Sequence, residues 1–233
     1  MLEQAPNTEH PGLTPELRTT IERIAGVVGS WCPSISPDGR QIAYVTDRSG
    51  LPRLEVAHLD PAGKCADRTP RQVSLPDQEV ISVAWSPDGR WLTYLVSPEG
   101  SIRAQLHAIR PDGTDHRALA GMAGPETVFA GSWTSLPHTY AFSLADGRSP
   151  DADVCFVDVE TGAVRRVATG GFLLVTGVSP DAGRLVARRG PRGHRHLVLA
   201  DIPADADAPL PSPRRLLERD FPLEGTDVAE DGR

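Results

Sequence analysis

The first part of the chain has apolar residues at helical spacing, and the rest alternates with a strand period. Leu17, Ile21, Ile24 and Val28 form one apolar stripe on a helix. Thr14 is a good N-cap, Pro15 suits the first helical position, and Glu16 complements the helix dipole. The pattern predicts an amphipathic helix over residues 14–29 that frays around Gly26 and Gly29. Its stripe must cover something, and a partner domain is the expected surface. Residues 1–13 are polar and carry Pro6 and Pro11, which suits a flexible terminus.

From Trp31 onward the period changes to two. Short runs such as Gln41–Val45, Trp91–Val96, Thr139–Ser143 and Arg184–Arg188 alternate with turns. One turn recurs. Ser36-Pro37-Asp38-Gly39-Arg40 returns as Ser86-Pro87-Asp88-Gly89-Arg90 and, more loosely, as Ser179-Pro180-Asp181-Ala182-Gly183-Arg184. Thr134 stands at the matching place in a degenerate copy, where Ser135-Leu136-Pro137-His138 replaces the turn. Val228-Ala229-Glu230-Asp231-Gly232-Arg233 reads as one more copy. Registered on residues 36, 86, 134, 179 and 229, the steps are 50, 48, 45 and 50 residues. With about four strands to a unit, that period belongs to the blades of a β-propeller.

The expected fold is all-β: a partial β-propeller of four-stranded antiparallel blades behind a short N-terminal α-helix. Four blades are expected at about 31–76, 80–121, 128–170 and 174–220, with the start of a fifth at 221–233. The ring is therefore expected to be incomplete within residues 30–233. Alone, such a chain should associate through its uncovered blade faces.

The repeated turn is backbone chemistry. Proline pre-sets φ, aspartate bonds to nearby amides, and glycine takes the positive φ that closes the hairpin. Asp38 and Asp88 therefore read as scaffold rather than as acids, bases or metal ligands. Trp31, Trp85, Trp91, Tyr94, Trp133 and Tyr140 fall near the turns of successive units and should pack blade against blade. His194-x-His196 could place two imidazoles on one strand face, but Arg192 and Arg195 surround them with positive charge. The repeat places His58 and His107 at equivalent strand positions in units one and two. No Gly-x-Ser-x-Gly elbow, phosphate loop, Gly-x-Gly-x-x-Gly or His-Glu-x-x-His is present. No catalytic, cofactor-binding or metal-binding residue is assigned, and no cofactor is expected.

Composition narrows the partners. A net charge of −7 with scattered arginines and one lysine, Lys64, argues against a nucleic-acid partner. No apolar run is long enough to span a membrane, so no membrane partner is expected. Cys32, Cys65 and Cys155 are odd in number and far apart, which fits no disulfide framework. Met1-Leu2-Glu3-Gln4-Ala5-Pro6 shows no basic-then-apolar leader, so the expected location is cytoplasmic.

The string Trp31–Gly50, with Ser36-Pro37-Asp38-Gly39-Arg40 inside it, resembles the first propeller blade of prolyl oligopeptidase family serine peptidases, in the style of acylaminoacyl-peptidase-like and dipeptidyl-aminopeptidase-like members. Val83–Gly121 resembles the second blade, and the likeness extends over about residues 14–233. It implies a propeller that acts as lid and substrate-size filter over a C-terminal α/β-hydrolase domain with a Ser-Asp-His triad, acting on short peptides. That domain lies outside these 233 residues, so the chain itself is expected to be inactive. The dipeptide-trimming subtype uses paired glutamates, and no two glutamates are adjacent here. Propellers of the periplasmic Tol-Pal type share the turn, but the leaderless N-terminus points away from them. The alternative is a non-enzymatic propeller scaffold that binds a protein through its loops. Gly100–Arg103 and Gly190–Arg195 are the candidate pore-facing loops.

Overall fold

The computed structural model describes residues 14–67, 69–191 and 194–216. The expected loose terminus at 1–13, Leu217 and the fifth copy of the turn lie outside the described residues. Helix α1 spans Pro15–Ala25 and starts as its cap predicts, with Leu17 N donating to Thr14 Oγ1 at 3.2 Å. It ends at Gly26, whose N–H returns to Glu22 O. No α1 side chain is buried, and Ile24 is 68% exposed, so its apolar stripe has no cover among the described residues.

Among the described residues sixteen strands follow in four antiparallel sheets, each paired in sequence order. The first holds β1 Ser30–Ile35, β2 Gln41–Thr46, β3 Arg53–His58 and β4 Arg71–Gln72. In the second are β5 Glu79–Trp85, β6 Leu92–Ser97, β7 Gln105–Ile109 and β8 Arg117–Ala120. The third contains β9 Thr127–Trp133, β10 Thr139–Ala145, β11 Asp153–Asp158 and β12 Val164–Ala168. The fourth is built from β13 Leu173–Val178, β14 Arg184–Arg189, β15 His196–Asp201 and β16 Arg214–Arg215. Each first strand lies beside the first strand of the next sheet, which puts β1, β5, β9 and β13 innermost. The described residues form an open fan of four propeller blades, and among them the fan does not close on itself.

Blade stacking accounts for the core. Three apolar clusters fill the three seams. Ala43, Val45, Leu54 and Val56 of the first blade meet Leu92, Tyr94 and Ile109 of the second. Trp91, Leu106 and Leu119 meet Phe142 and Val157 across the next seam. Phe156 and Val167 meet Leu173, Leu185 and Val198 across the last. A mid-blade strand is therefore apolar on both faces, as Leu92–Val96 shows with five buried residues in a row. Full burial of one such side chain is worth about 1.5–3 kcal/mol.

Every innermost strand carries a bulge. Pairing breaks between Trp31 and Ser34, between Val80 and Ser82, opposite Ala141 and Ser143, and between Val175 and Gly177. Extra residues there raise the local twist where the blades crowd together. Pro33 is tolerated because it sits in such a bulge on a sheet edge. Gly131 occupies the third bulge, and a Cβ there would lie 2.1 Å from Ala141 O. Side chains cannot enter that space.

The repeated turn behaves as its chemistry predicts, with one correction. Gly39 and Gly89 take φ of +69° and +71°. In the fourth blade the positive φ (+53°) falls on Ala182, three residues past Ser179, and Gly183 does not share it. The turn is counted from its serine, and the glycine has arrived one place late. Replacing Ala182 with glycine should stabilise the chain by about 0.5–1 kcal/mol. Gly131→Ala should instead cost at least 1–3 kcal/mol, roughly the penalty of overpacking. Urea unfolding midpoints test both; equal midpoints for the two variants would contradict this account of the turns and bulges.

Candidate functional site

Antiparallel order assigns every loop to one of two ends. The hairpins between first and second strands lie at one end, together with the turns between third and fourth strands. Loops between second and third strands lie at the other, with the blade-to-blade connections. We refer to these as the turn end and the loop end.

The turn end is built from local hydrogen bonds. Ser36 Oγ donates to Asp38 Oδ1 at 2.7 Å and accepts from Gln41 N at 2.8 Å, while Arg40 N donates to the same Asp38 oxygen at 3.0 Å. The set recurs at Ser86–Asp88–Arg90–Trp91 and at Ser179–Asp181–Gly183–Arg184. Donation by the serine hydroxyl, then by the backbone N–H, holds the Asp38 and Asp181 carboxyls below the ordinary 3.8. Burial pushes Asp88 up, but Ser86, the Arg90 N–H and the His138 charge outweigh it and leave its pKa lowered. One oxygen of each carboxylate takes both turn hydrogen bonds, which fits these aspartates as scaffold.

Between the second and third blades the same end carries a clasp. The fully buried Trp91 ring lies under the Arg110 guanidinium, 3.6 Å from the ring centroid, with Arg117 at 4.8 Å. Trp91 Nε1 donates to Glu160 Oε1 at 3.3 Å, and Arg90 and Arg110 reach that oxygen at 3.2 and 3.4 Å. Arg117 donates to the Val159 and Glu160 carbonyls of the third blade. The Trp91 N–H is the chief cause of the lowered Glu160 pKa, with the arginines and His138 adding to it. His138, in the degenerate turn, lies 3.6 Å from Asp88 and 3.7 Å from Glu160. Two guanidiniums on one carboxylate oxygen make this a joint between blades.

The predicted aromatics divide in two. Trp85, Trp91, Tyr94 and Tyr140 are buried in the seams. Trp31 and Trp133 are half-buried, and their indole N–H groups donate to Ile81 O (3.1 Å) and Ala84 O (3.3 Å) of the second blade. Neither set forms an open stacking surface.

The histidines require a correction. Strand pairing aligns His107 with Tyr94 and aligns Glu55 with Tyr44, so Glu55 is the counterpart of His107. His58 pairs with Gln41 at a strand end and matches Arg110 instead. The two histidines are therefore not equivalent. His58 is exposed and bonds Asp67 at 3.0 Å, whereas His107 is buried and stacks on His116 with ring centroids 5.1 Å apart. His107 Nδ1 and His116 Nε2 are 3.0 Å apart. Of the His194-x-His196 pair, His196 Nε2 accepts from Arg189 Nε at 3.2 Å, and His194 is exposed in the connection before β15. Among the described residues no group of three or more metal-ligating side chains comes together.

The loop end holds a cavity of about 360 Å³. It sits where the innermost strands of the second, third and fourth blades begin, lined by Ile81, Ile102, Thr127, Phe129, Leu174 and Arg188 among others. Of the two candidate loops, Gly100–Arg103 reaches it through Ile102, which is fully exposed. Described residues of Gly190–Arg195 fold back instead, with Gly190 N donating to Phe172 O at 3.0 Å. Arg188, just before that loop, is the charged group in the cavity wall. It stands nine residues past Ser179, where the other blades have Val45, Leu95 and Ser143. A cation breaking the apolar alternation of a second strand was the available signal.

Comparison with known proteins agrees with this class of fold. No protein-family model matches the chain. Over 138 residues it is 28% identical to a TolB homolog of Chlorobium luteolum, an alignment covering 58% of this chain and 28% of that protein. Its fold resembles TolB from Acinetobacter baumannii (TM-score 0.59, 18% identity, 88% of this chain, 47% of that one). It also resembles a puromycin hydrolase (TM-score 0.56, 22% identity, 88% of this chain, 32% of that one). The chain spans less than half the length of each of these proteins. No helix among the described residues is long and apolar enough to cross a membrane.

Burial lowers the His107 pKa from 6.5 to about 4, with the neighbouring His116 adding to it. The unfolded chain therefore takes up this proton at a higher pH than the folded one. Stability should fall as pH drops from about 6.5 to about 4, and His107→Gln should flatten that part of the curve. The turn aspartates act in a separate window. Their contribution is present above about 3.8 and is lost as pH falls below it. Chemical denaturation at a series of pH values resolves both windows. A His107→Gln variant that keeps the wild-type slope from about 6.5 to about 4 would contradict the assignment.

Proposed function

We propose that the chain is the non-catalytic propeller portion of a serine peptidase that acts on short peptides, serving as lid and substrate-size filter. The observation that carries the reading is the loop-end cavity beside the innermost strands, the part of a propeller that bounds its central passage. The fold likeness to a puromycin hydrolase along 88% of this chain supports it, with that enzyme extending well beyond the matched part. Under this reading a hydrolase domain supplies the nucleophile, and the blades supply an entrance that admits peptides and turns away folded proteins. The interior would be reducing, in keeping with three free cysteines.

A second reading rests on the TolB homolog, which aligns with 58% of this chain at 28% identity. Here the propeller is a scaffold without catalysis, and its loops dock a protein partner. The two readings separate on one experiment. The protein carrying this chain, isolated from its native cells with an antibody against these blades, is treated with a fluorophosphonate probe. The peptidase reading expects a covalent label on a serine outside residues 14–216 and inhibition of peptide hydrolysis. A protein that stays unlabelled and cleaves no aminoacyl or peptidyl substrate would overturn it in favour of the scaffold.

A further inference from the structure

We propose that the His107–His116 pair is a proton-operated latch that holds the segment joining the first two blades at neutral pH and releases it in acid. The latch stands on side-chain geometry; only its bearing on ligand entry rests on the peptide-handling reading of the loop end. The two rings are stacked, with His107 Nδ1 3.0 Å from His116 Nε2. Only one of those facing nitrogens can carry the shared hydrogen, and the other must accept it. His116 Nε2 also lies 3.4 Å from Gln78 Nε2, and Gln78 Oε1 accepts from the Tyr94 hydroxyl at 2.9 Å. His107 Nε2 stands 3.3 Å from Gln105 Oε1. Five side chains thus form one polar chain beside the apolar cluster of the first seam. It runs from β6, β7 and the residue before β8 to Gln78, in the segment that leaves the first blade. That segment is also tied at Arg71, whose Nη2 donates to Pro111 O at 2.6 Å.

Acid acts on this chain of contacts in one direction. His107 is 5% exposed, so a charge placed there has lost most of its water. A fully protonated pair would set N–H against N–H across the 3.0 Å contact. Burial lowers the His116 pKa, and Asp77, the carboxylate acting on it, offsets only part of that. The other charged groups nearby are turned elsewhere. Arg53 donates to Gln78 O, Arg71 to Pro111 O beside Asp112, and Arg117 to Asp115 and the third blade. Glu55 alternates with Leu54 and Val56 of the seam, so it lies on the other face of the first blade, held by Tyr44 at 2.8 Å. Lifting Gln78 away lets water reach both rings, which then take up protons more readily, so falling pH favours the open state. The segment runs into Glu79 at the start of β5, and Ile81 two residues on lines the cavity. Release therefore reaches the cavity wall.

The test is amide hydrogen exchange of the full chain at about pH 7.5 and about pH 5, read as protection factors. Val73, Gln78 and Val80 report on the segment, because their N–H groups donate to Leu54 O, Leu75 O and Pro52 O. With a His107 pKa of about 4 when closed and 6.5 when open, their protection should fall about 30-fold in acid. The third and fourth blades should stay unlabelled over the same period. His107→Gln should cut the change to less than about fivefold. His116→Asn keeps the test open if that variant does not fold. It takes away the shared partner of His107 and Gln78 at a half-buried position, and should lower protection of the segment already at neutral pH. The proposal is overturned if the segment keeps its protection in acid, if all four blades lose protection together, or if neither variant changes it. Release in acid by a protein that the fluorophosphonate leaves unlabelled would overturn the peptidase reading and leave the latch standing.

Discussion

A four-stranded sheet that is apolar on both faces cannot exist alone in water, and the rest of this structure follows from that. Each blade of the chain must be covered by its neighbours, so the three apolar clusters coincide with the three seams. Stacking by the faces leaves the edges pointing inward and outward. Four first strands converge at the inner edge, where crowding is relieved by a bulge in each and by the bare backbone of Gly131. The seam between the second and third blades adds a polar joint, with Trp91 packed against two arginines that also reach Glu160 and the carbonyls beside it.

The same stacking divides labour between the two ends. At the turn end, serine and aspartate bond one another and the nearby amides in a repeated pattern. The loop end carries more varied segments and the cavity. Loops held on a rigid scaffold are where binding usually resides. Repetition marks what holds the fold together, and departure from it marks what could act. Arg188 is such a departure, standing where two of the other blades have an aliphatic residue.

Much of the architecture was legible because the spacing of one turn exposed the period. The propeller, its four blades and its helix cap could all be read from residues such as Thr14, Ser36, Ser86 and Ser179. The innermost bulges were not, since an extra residue leaves no clear mark on alternation; only Pro33 hinted at one. The histidine equivalence failed because register depends on the length of the turn before the third strand, which differs between the first two blades. Ala182 misled for a similar reason: position in the turn, not residue type, decides which φ is positive. The cavity was hardest to see. It is assembled from three blades, and only Ile102 lies in a loop that the sequence had singled out.

We propose that this propeller handles peptides at its loop end. Photo-crosslinking with a short apolar peptide bearing a benzophenone, followed by mass-spectrometric mapping, addresses it most directly. The account predicts adducts at Ile81, Ile102, Thr127–Ala130 and Leu174. Adducts gathered instead at the turns around Asp38, Asp88 and Asp181, or spread evenly over the blades, would contradict it.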